Sequence, residues 1–313
     1  EDDIIENQRN FLRPKIDTNY TEVKKAEELS KNGRHQEALA VFKSLISQNR
    51  LKELHHESYG WVIYRYIKTE ESNLTSVDVR TFLRDYMNLK NERPSLLHSM
   101  ILNFALIYSK THSDFKFYNF FLLWNPENLR NEDWKETKKD ENTYKPLATK
   151  VIKKTFEILK TQTSDQDLSW LILAYEKAIK LFPDDEWLLR EKALLHLKNK
   201  ELDLAIKIYK QLVLELPTKH YVWQEFSECI ISDNSIKIGM LSKALKLEYN
   251  EDFLGDIHLI LAKVLIDENL FENALIELEV YKKHRELKNW KLSSEFDELY
   301  KIAMQANLSL KDN

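Results

Sequence analysis

The stretches "YEKAIKLFP" (175–183) and "YKQLVLELP" (209–217) decide the fold. Each has apolar residues at helical spacing, each ends in a proline, and the two prolines lie 34 residues apart. Proline ends a helix because it lacks the N–H group and its ring clashes with the preceding turn. The chain therefore repeats a helix together with its stop signal, and a fixed period of this kind predicts an array of helical units.

Residues 184–217 contain one complete repeat. Apolar residues form two helical stripes, and the linking segment "KNKEL" (198–202) is so short that it favours an antiparallel helical hairpin. Ala193 and Ala205 fall where the two helices are expected to approach most closely. We therefore predict that both alanines are buried.

This pattern of small, aromatic, small and proline positions resembles the tetratricopeptide repeat (TPR). Further copies carry residues in the same register, namely Trp223, Ser227 and Ala244, then Ala262, Phe271 and Ala274, and far upstream Ala26, Gly33, Ala38 and Phe42. The copy around Trp223 is expected to be two residues short in the turn between its helices. Residues 293–310 predict a closing helix.

The predicted fold class is all-α, an α-solenoid of TPR-like hairpins. Residues 1–50 are expected to hold a partial N-terminal hairpin and residues 161–313 the C-terminal array with its closing helix. Residues 51–160 keep helical periodicity but lose the period of 34, which predicts an irregular helical segment.

The middle segment carries a second resemblance. It contains the stretches "WVIYRYIK" (61–68), "RPSLLHS" (93–99) and "FFLLWNPENLR" (120–130). This combination is similar to helical modules of bacterial TPR proteins from genome-conflict (defence) systems. This resemblance implies a subunit of a bacterial multi-protein system.

Composition argues against an enzyme. The chain has four glycines, and no glycine-rich phosphate loop or nucleophile motif occurs. It has one cysteine, and its histidines lack the spacing of a zinc site. The net charge of −4 lacks the basic excess of a strong nucleic-acid binder. We therefore predict a non-enzymatic protein with no cofactor and no bound metal.

The sequence also predicts a cytoplasmic protein without a membrane partner. The longest apolar run, residues 96–108, is interrupted by polar side chains, and a membrane span needs roughly 20 apolar residues. Residues 1–10 are acidic and show no apolar core of a secretion signal.

The TPR resemblance implies that the first helix of each repeat lines a concave groove that binds a protein or peptide. The residues implied for binding are Trp187, Arg190, Lys198, Tyr221, Gln224, Glu228 and Lys263. Arg190 and Lys198 are expected to project toward the ligand, since eight residues span slightly more than two helical turns. The alternative is that Trp187 packs between repeats and the two cations are merely solvated.

The middle segment offers a different hypothesis. Trp61, Tyr64, Arg65 and Lys68 share one helical face, which would suit a stacking platform for single-stranded nucleic acid. The competing interpretation places the two rings in the core with the cations at its rim. A nucleic-acid-associated regulatory subunit is therefore the alternative function. The sequence leaves the oligomeric state and the identity of the partner open.

Overall fold

The computed structural model describes residues 18–139, 141–162 and 168–311. These residues are 76% helical with almost no sheet, so the predicted all-α fold class is confirmed. The chain divides into two compact units between Ile158 and Leu159.

The first unit contains the N-terminal hairpin and the middle segment. Its helices are α1 (Thr18–Lys31), α2 (His35–Ser47), α3 (His56–Thr69), α4 (Ser76–Met87), α5 (Leu96–Thr111) and α6 (Phe117–Trp124), followed by α7 (Leu147–Lys160), in which the division between the units falls. The strands β1 (Thr137–Lys139) and β2 (Asn142–Tyr144) form an antiparallel pair. The sequence did not predict these strands.

The predicted upstream repeat is present as the α1–α2 hairpin. Ala26, Ala38 and Phe42 are fully buried between its helices. The connection between the helices has three residues, and its second residue, Gly33, has a φ of +81°. Glycine suits this left-handed position because it has no Cβ to clash.

An aromatic cluster holds the middle of the first unit together. The Trp124 ring stacks on the His98 ring at 4.3 Å, and its indole N–H donates to the His98 carbonyl at 2.9 Å. His98 Nε2 donates to the Trp124 carbonyl at 3.1 Å, and the Tyr86 hydroxyl donates to His98 Nδ1 at 3.1 Å. Burial lowers the pKa of His98 to about 4. A neutral imidazole therefore joins α4, α5 and α6.

The second unit is a series of helical hairpins. Its helices are α8 (Ser169–Leu181), α9 (Glu186–Lys198), α10 (Leu202–Glu215), α11 (His220–Glu228), α12 (Asn234–Leu247), α13 (Gly255–Asp267), α14 (Phe271–Leu287) and α15 (Ser294–Lys311). Helices α9–α10, α11–α12 and α13–α14 pair as hairpins, and α15 is the predicted closing helix, packed on α14.

Two hairpin connections repeat the geometry of the N-terminal one. The α9–α10 and α13–α14 connections also have three residues, and their second residues, Lys200 and Asn269, have φ values of +61° and +60°. The same turn therefore recurs with three different residue types, of which asparagine tolerates the left-handed conformation best after glycine.

The α11–α12 repeat is short in a different place from the one predicted. Helix α11 has 9 residues where α9 has 13, while the connection 229–233 is longer than the three-residue turns. The Asp233 side chain accepts a hydrogen bond from the Ile236 N–H at 3.0 Å and so caps the start of α12. The missing residues are therefore lost from the helix and not from the turn.

The predicted close-contact positions of the repeat are buried. Ala193 and Ala205 are fully buried in the α9–α10 hairpin. In the next two hairpins Ser227 and Ala262 correspond to Ala193, and Ala274 corresponds to Ala205. All three are fully buried, as is Ala244 at the last small position of its repeat. A small side chain at each position lets two helix backbones approach, as the sequence predicted.

Ala205→Leu is expected to destabilise the second unit by roughly 1–3 kcal/mol, because the larger side chain overpacks a closed helix contact. The matched control is Ala40→Leu, since Ala40 is exposed on α2. Urea denaturation followed by circular dichroism compares the two variants. Equal midpoints for Ala205→Leu and the parent would contradict the register.

Candidate functional site

In the second unit, the first helices of two successive hairpins, α9 and α11, bring aromatic rings and a cation together. The Trp187 and Tyr221 rings stack at 5.6 Å with an interplanar angle of 20°. The Arg190 guanidinium carbon lies 5.0 Å from the Trp187 ring centroid and 4.6 Å from that of Tyr221. Trp187 is still 42% exposed. The 34-residue spacing of the two rings places them at the same position of successive repeats.

Arg190 is held by an ion pair inside the array. Its Nε donates to Glu225 Oε2 at 2.9 Å, and its terminal nitrogen pairs with Glu225 Oε1. The Tyr209 hydroxyl donates to Glu225 Oε2 at 3.2 Å. The Arg190 and Glu225 side chains are only 22% and 11% exposed. Arg190 therefore contacts both rings while its charge is neutralised by Glu225, and its role in binding stays a prediction.

Sequence inspection missed a buried tyrosine–glutamate pair that repeats. The Tyr175 hydroxyl donates to Glu191 Oε2 at 2.9 Å, as Tyr209 does to Glu225. Both pairs are 16 residues apart in sequence, and their members recur at the 34-residue period. Aligning the repeats for polar as well as apolar positions would have found this pair. It links the second helix of one hairpin to the first helix of the next.

The ring contacts continue into the following hairpin. The His220 ring packs edge-on against Tyr221 at 5.6 Å and stacks with Phe253 at 6.4 Å. His220 Nδ1 also lies 3.2 Å from Glu248 Oε2, and the Phe253 ring is exposed. Trp187, Tyr221, His220 and Phe253, which we term the ring row, thus come from the starts of three successive hairpins. Sequence reasoning found only the first two.

The other predicted groove residues differ in their surroundings. Lys198 donates from Nζ to the carbonyl of Gln162, so it too is engaged within the unit. Gln224 is half-buried, whereas Glu228 and Lys263 are exposed. Partial desolvation by the surrounding helices raises the pKa of Glu228, and the nearby carboxylates Glu225 and Asp256 act in the same direction. Gln224, Glu228 and Lys263 remain candidate binding residues.

The structure brings the candidate residues of α3 together, but with their rings covered. Tyr64 is buried and Trp61 is half-buried. The Arg65 guanidinium carbon lies 5.6 Å from the Trp61 ring, and Lys68 Nζ lies 5.7 Å from the Tyr64 ring. A nucleic-acid base would have to displace these cations in order to stack. The nucleic-acid hypothesis stays a prediction, tested by the salt dependence of binding to single-stranded DNA or RNA.

Neither a metal cluster nor a membrane-spanning helix occurs within the ranges that the structure describes. Among these residues no group of three or more histidine, cysteine or acidic side chains could hold a metal ion. The described helices are all too short or too polar to cross a bilayer.

The repeated hairpins, with small residues buried at each helix contact and a period of 34, decide the architecture. The fold is an array of TPR-like helical hairpins. A family model described as "Domain of unknown function (DUF7017)" matches residues 186–311, from the first residue of α9 to the last of α15. This match covers less than half of the chain. No curated protein matches the chain.

Three solved structures are similar to this chain. A tetratricopeptide repeat protein from Parabacteroides merdae is 14% identical over 91% of this chain and 98% of its own, with a TM-score of 0.44. The TPR2AB domain of yeast Sti1, in its complex with pHSP90, is 13% identical over 91% of this chain and 97% of its own, with a TM-score of 0.35. MamA is 18% identical over 54% of this chain and 99% of its own, with a TM-score of 0.35.

Proposed function

We propose that the second unit is a non-enzymatic scaffold that binds a segment of a protein partner along the first helices of its hairpins. The observation that carries this proposal is the stack of Trp187, Arg190 and Tyr221. The Glu225 carboxylate fixes the guanidinium, and the guanidinium in turn contacts both rings. Rings that are already ordered lose little conformational entropy when a partner packs on them. Aromatic side chains are enriched among the residues that dominate binding energy.

The chemistry of the surface indicates the kind of segment that fits. The ring row supplies apolar contact area, and the exposed Glu228 and Lys263 supply charges of both signs. The Arg190 charge is already neutralised, so it orients the rings without requiring an acidic residue in the partner. The segment therefore has an aromatic or aliphatic anchor for the rings and flanking charged residues. Apolar anchors and complementary charges determine which peptides bind to helical grooves.

Trp187→Ser is expected to weaken partner binding by about tenfold or more, because loss of a dominant interface residue costs roughly 2 kcal/mol or more. The matched control is Leu214→Ser, since Leu214 is an exposed apolar residue on the second helix α10. Partners are recovered from native lysate with the parent protein, identified by mass spectrometry, and titrated against each variant.

The charged positions give an independent comparison. Lys263→Glu reverses the charge at a position on the predicted path of the partner, so that an acidic residue of the partner at this position is repelled. The control is Lys210→Glu, which makes the same change on the exposed surface of α10. Unchanged affinity for both Trp187→Ser and Lys263→Glu would refute binding at the first helices.

The resemblance of the middle segment to bacterial defence modules supports a narrower proposal, that the scaffold assembles a cytoplasmic defence-type complex. The partners recovered with the parent protein test this proposal as well. Recovery of nucleases or nucleotide-dependent effectors, lost with Trp187→Ser, is the expected result. Recovery of general metabolic enzymes alone would contradict it.

A further inference from the structure

An open cavity of about 480 Å³ lies in the first unit, among α2, α3 and α4. Its apolar lining includes Ile46, Leu51 and Leu89, and its polar lining includes Lys43, Tyr59 and Asp85. The volume falls within the range of about 300–1,000 Å³ that is usual for small-molecule sites. None of these residues belongs to the candidate surface of the second unit.

The Tyr59 side chain lines this cavity, and its hydroxyl is open to solvent there. Tyr59 is only 2% exposed, and its ring stacks on Phe42 at 4.9 Å. Its hydroxyl forms no hydrogen bond to any residue within the described ranges. Burial, followed by the nearby Asp85 charge, raises the pKa of Tyr59 to about 12, so the hydroxyl keeps its proton. The hydroxyl can therefore form a hydrogen bond with a group that enters the cavity.

Two side chains of opposite charge line the same cavity without an ion pair to any described residue. One is the Asp85 carboxylate and the other is the Lys43 ammonium, which lies 5.6 Å from the Phe82 ring. The helices α2 and α4 end beside the cavity at Ser47 and Met87, and helix C-termini favour positive charge. Asp85 is therefore the place for a cationic group and Lys43 the place for an anionic one.

We propose that this cavity binds a small zwitterion with an apolar body, such as a short hydrophobic peptide with free termini. Its ammonium group would lie at Asp85 and Tyr59, its carboxylate at Lys43, and its side chains against Ile46, Leu51 and Leu89. A neutral apolar ligand would leave the Asp85 and Lys43 charges without a partner, and a singly charged ligand would pair with only one of them. The zwitterion satisfies both charges and the hydroxyl together.

Calorimetric titration of the full chain with leucyl-leucine, and separately with phenylalanyl-leucine, tests this proposal. We expect binding of at least one dipeptide, and binding at least tenfold weaker when its amine is acetylated or its carboxylate is amidated. Absence of binding by both dipeptides at millimolar concentration would overturn the proposal. Equal affinity of the free and blocked forms would also overturn it.

Three variants locate the site. Asp85→Asn and Lys43→Gln are each expected to weaken dipeptide binding about tenfold, whereas the exposed control Lys25→Gln leaves it unchanged. Tyr59→Phe is expected to weaken binding severalfold without lowering the melting midpoint of the free protein, because the hydroxyl has no internal hydrogen bond to lose. Parent-like affinity in all three variants would place the ligand elsewhere and refute the assignment.

Discussion

Trp124→Ala is expected to lower the free energy of unfolding of the first unit by about 3–5 kcal/mol, the usual cost of removing a fully buried tryptophan. Trp124 is completely buried and stacks on both His98 and Phe121. Truncation leaves a cavity and also removes the indole donor of the His98 carbonyl.

Leu123→Ala is the matched control for this change, because Leu123 is the adjacent residue and is 59% exposed. Urea denaturation is followed by far-UV circular dichroism, since removal of a tryptophan alters fluorescence directly. The control is expected to keep the parent midpoint. Equal midpoints for Trp124→Ala and Leu123→Ala would show that the aromatic cluster does not organise the middle segment.

Arg190→Ala is expected to destabilise the second unit by roughly 2–4 kcal/mol, because it leaves the mostly buried Glu225 carboxylate without its cationic partner. Among the described residues, Glu225 would then keep only the Tyr209 hydroxyl as a hydrogen-bond partner from another side chain. The substitution also removes the guanidinium from between the Trp187 and Tyr221 rings. Arg190→Lys should be intermediate, since an ammonium keeps the charge but cannot form the bidentate pair.

The control for Arg190→Ala is Lys207→Ala, which removes an exposed cation from α10. Thermal denaturation of the three variants and the parent separates loss of charge from loss of the buried pair. A midpoint of Arg190→Ala that matches the Lys207→Ala midpoint would mean that the Glu225 ion pair contributes nothing to the array.

The sequence predicted those parts of the fold that depend on local spacing. Ala193 and Ala205 recur with the period of the repeat, and the burial of such small residues follows from helix geometry alone. The placement of the shortened repeat was wrong, since α11 ends at Glu228 and α12 begins after Asp233, whose side chain caps it with a hydrogen bond. Periodicity carries no information about such a bond.

The spacing of the sequence repeat also could not predict the ion pair on the candidate surface. Arg190 and Glu225 belong to different hairpins, so whether they pair depends on side-chain orientation across a helix packing contact. The cavity around Tyr59 is formed where α2, the second helix of the upstream hairpin, meets α3 and α4, which follow no repeat. The shape of such a cavity depends on how all of its helices pack together, which the spacing of residues in the sequence does not reveal.

Position-specific photocrosslinking tests the proposed binding surface most directly. A benzophenone amino acid replaces Gln224 on the first helix α11, or Lys210 on the second helix α10 of the preceding hairpin. Both proteins are irradiated in native lysate, and the adducts are identified by mass spectrometry. We predict a discrete protein adduct from position 224 that is absent from position 210 and disappears with Trp187→Ser. The same adduct from position 210 alone, or from both positions regardless of Trp187, would contradict partner binding along the first helices.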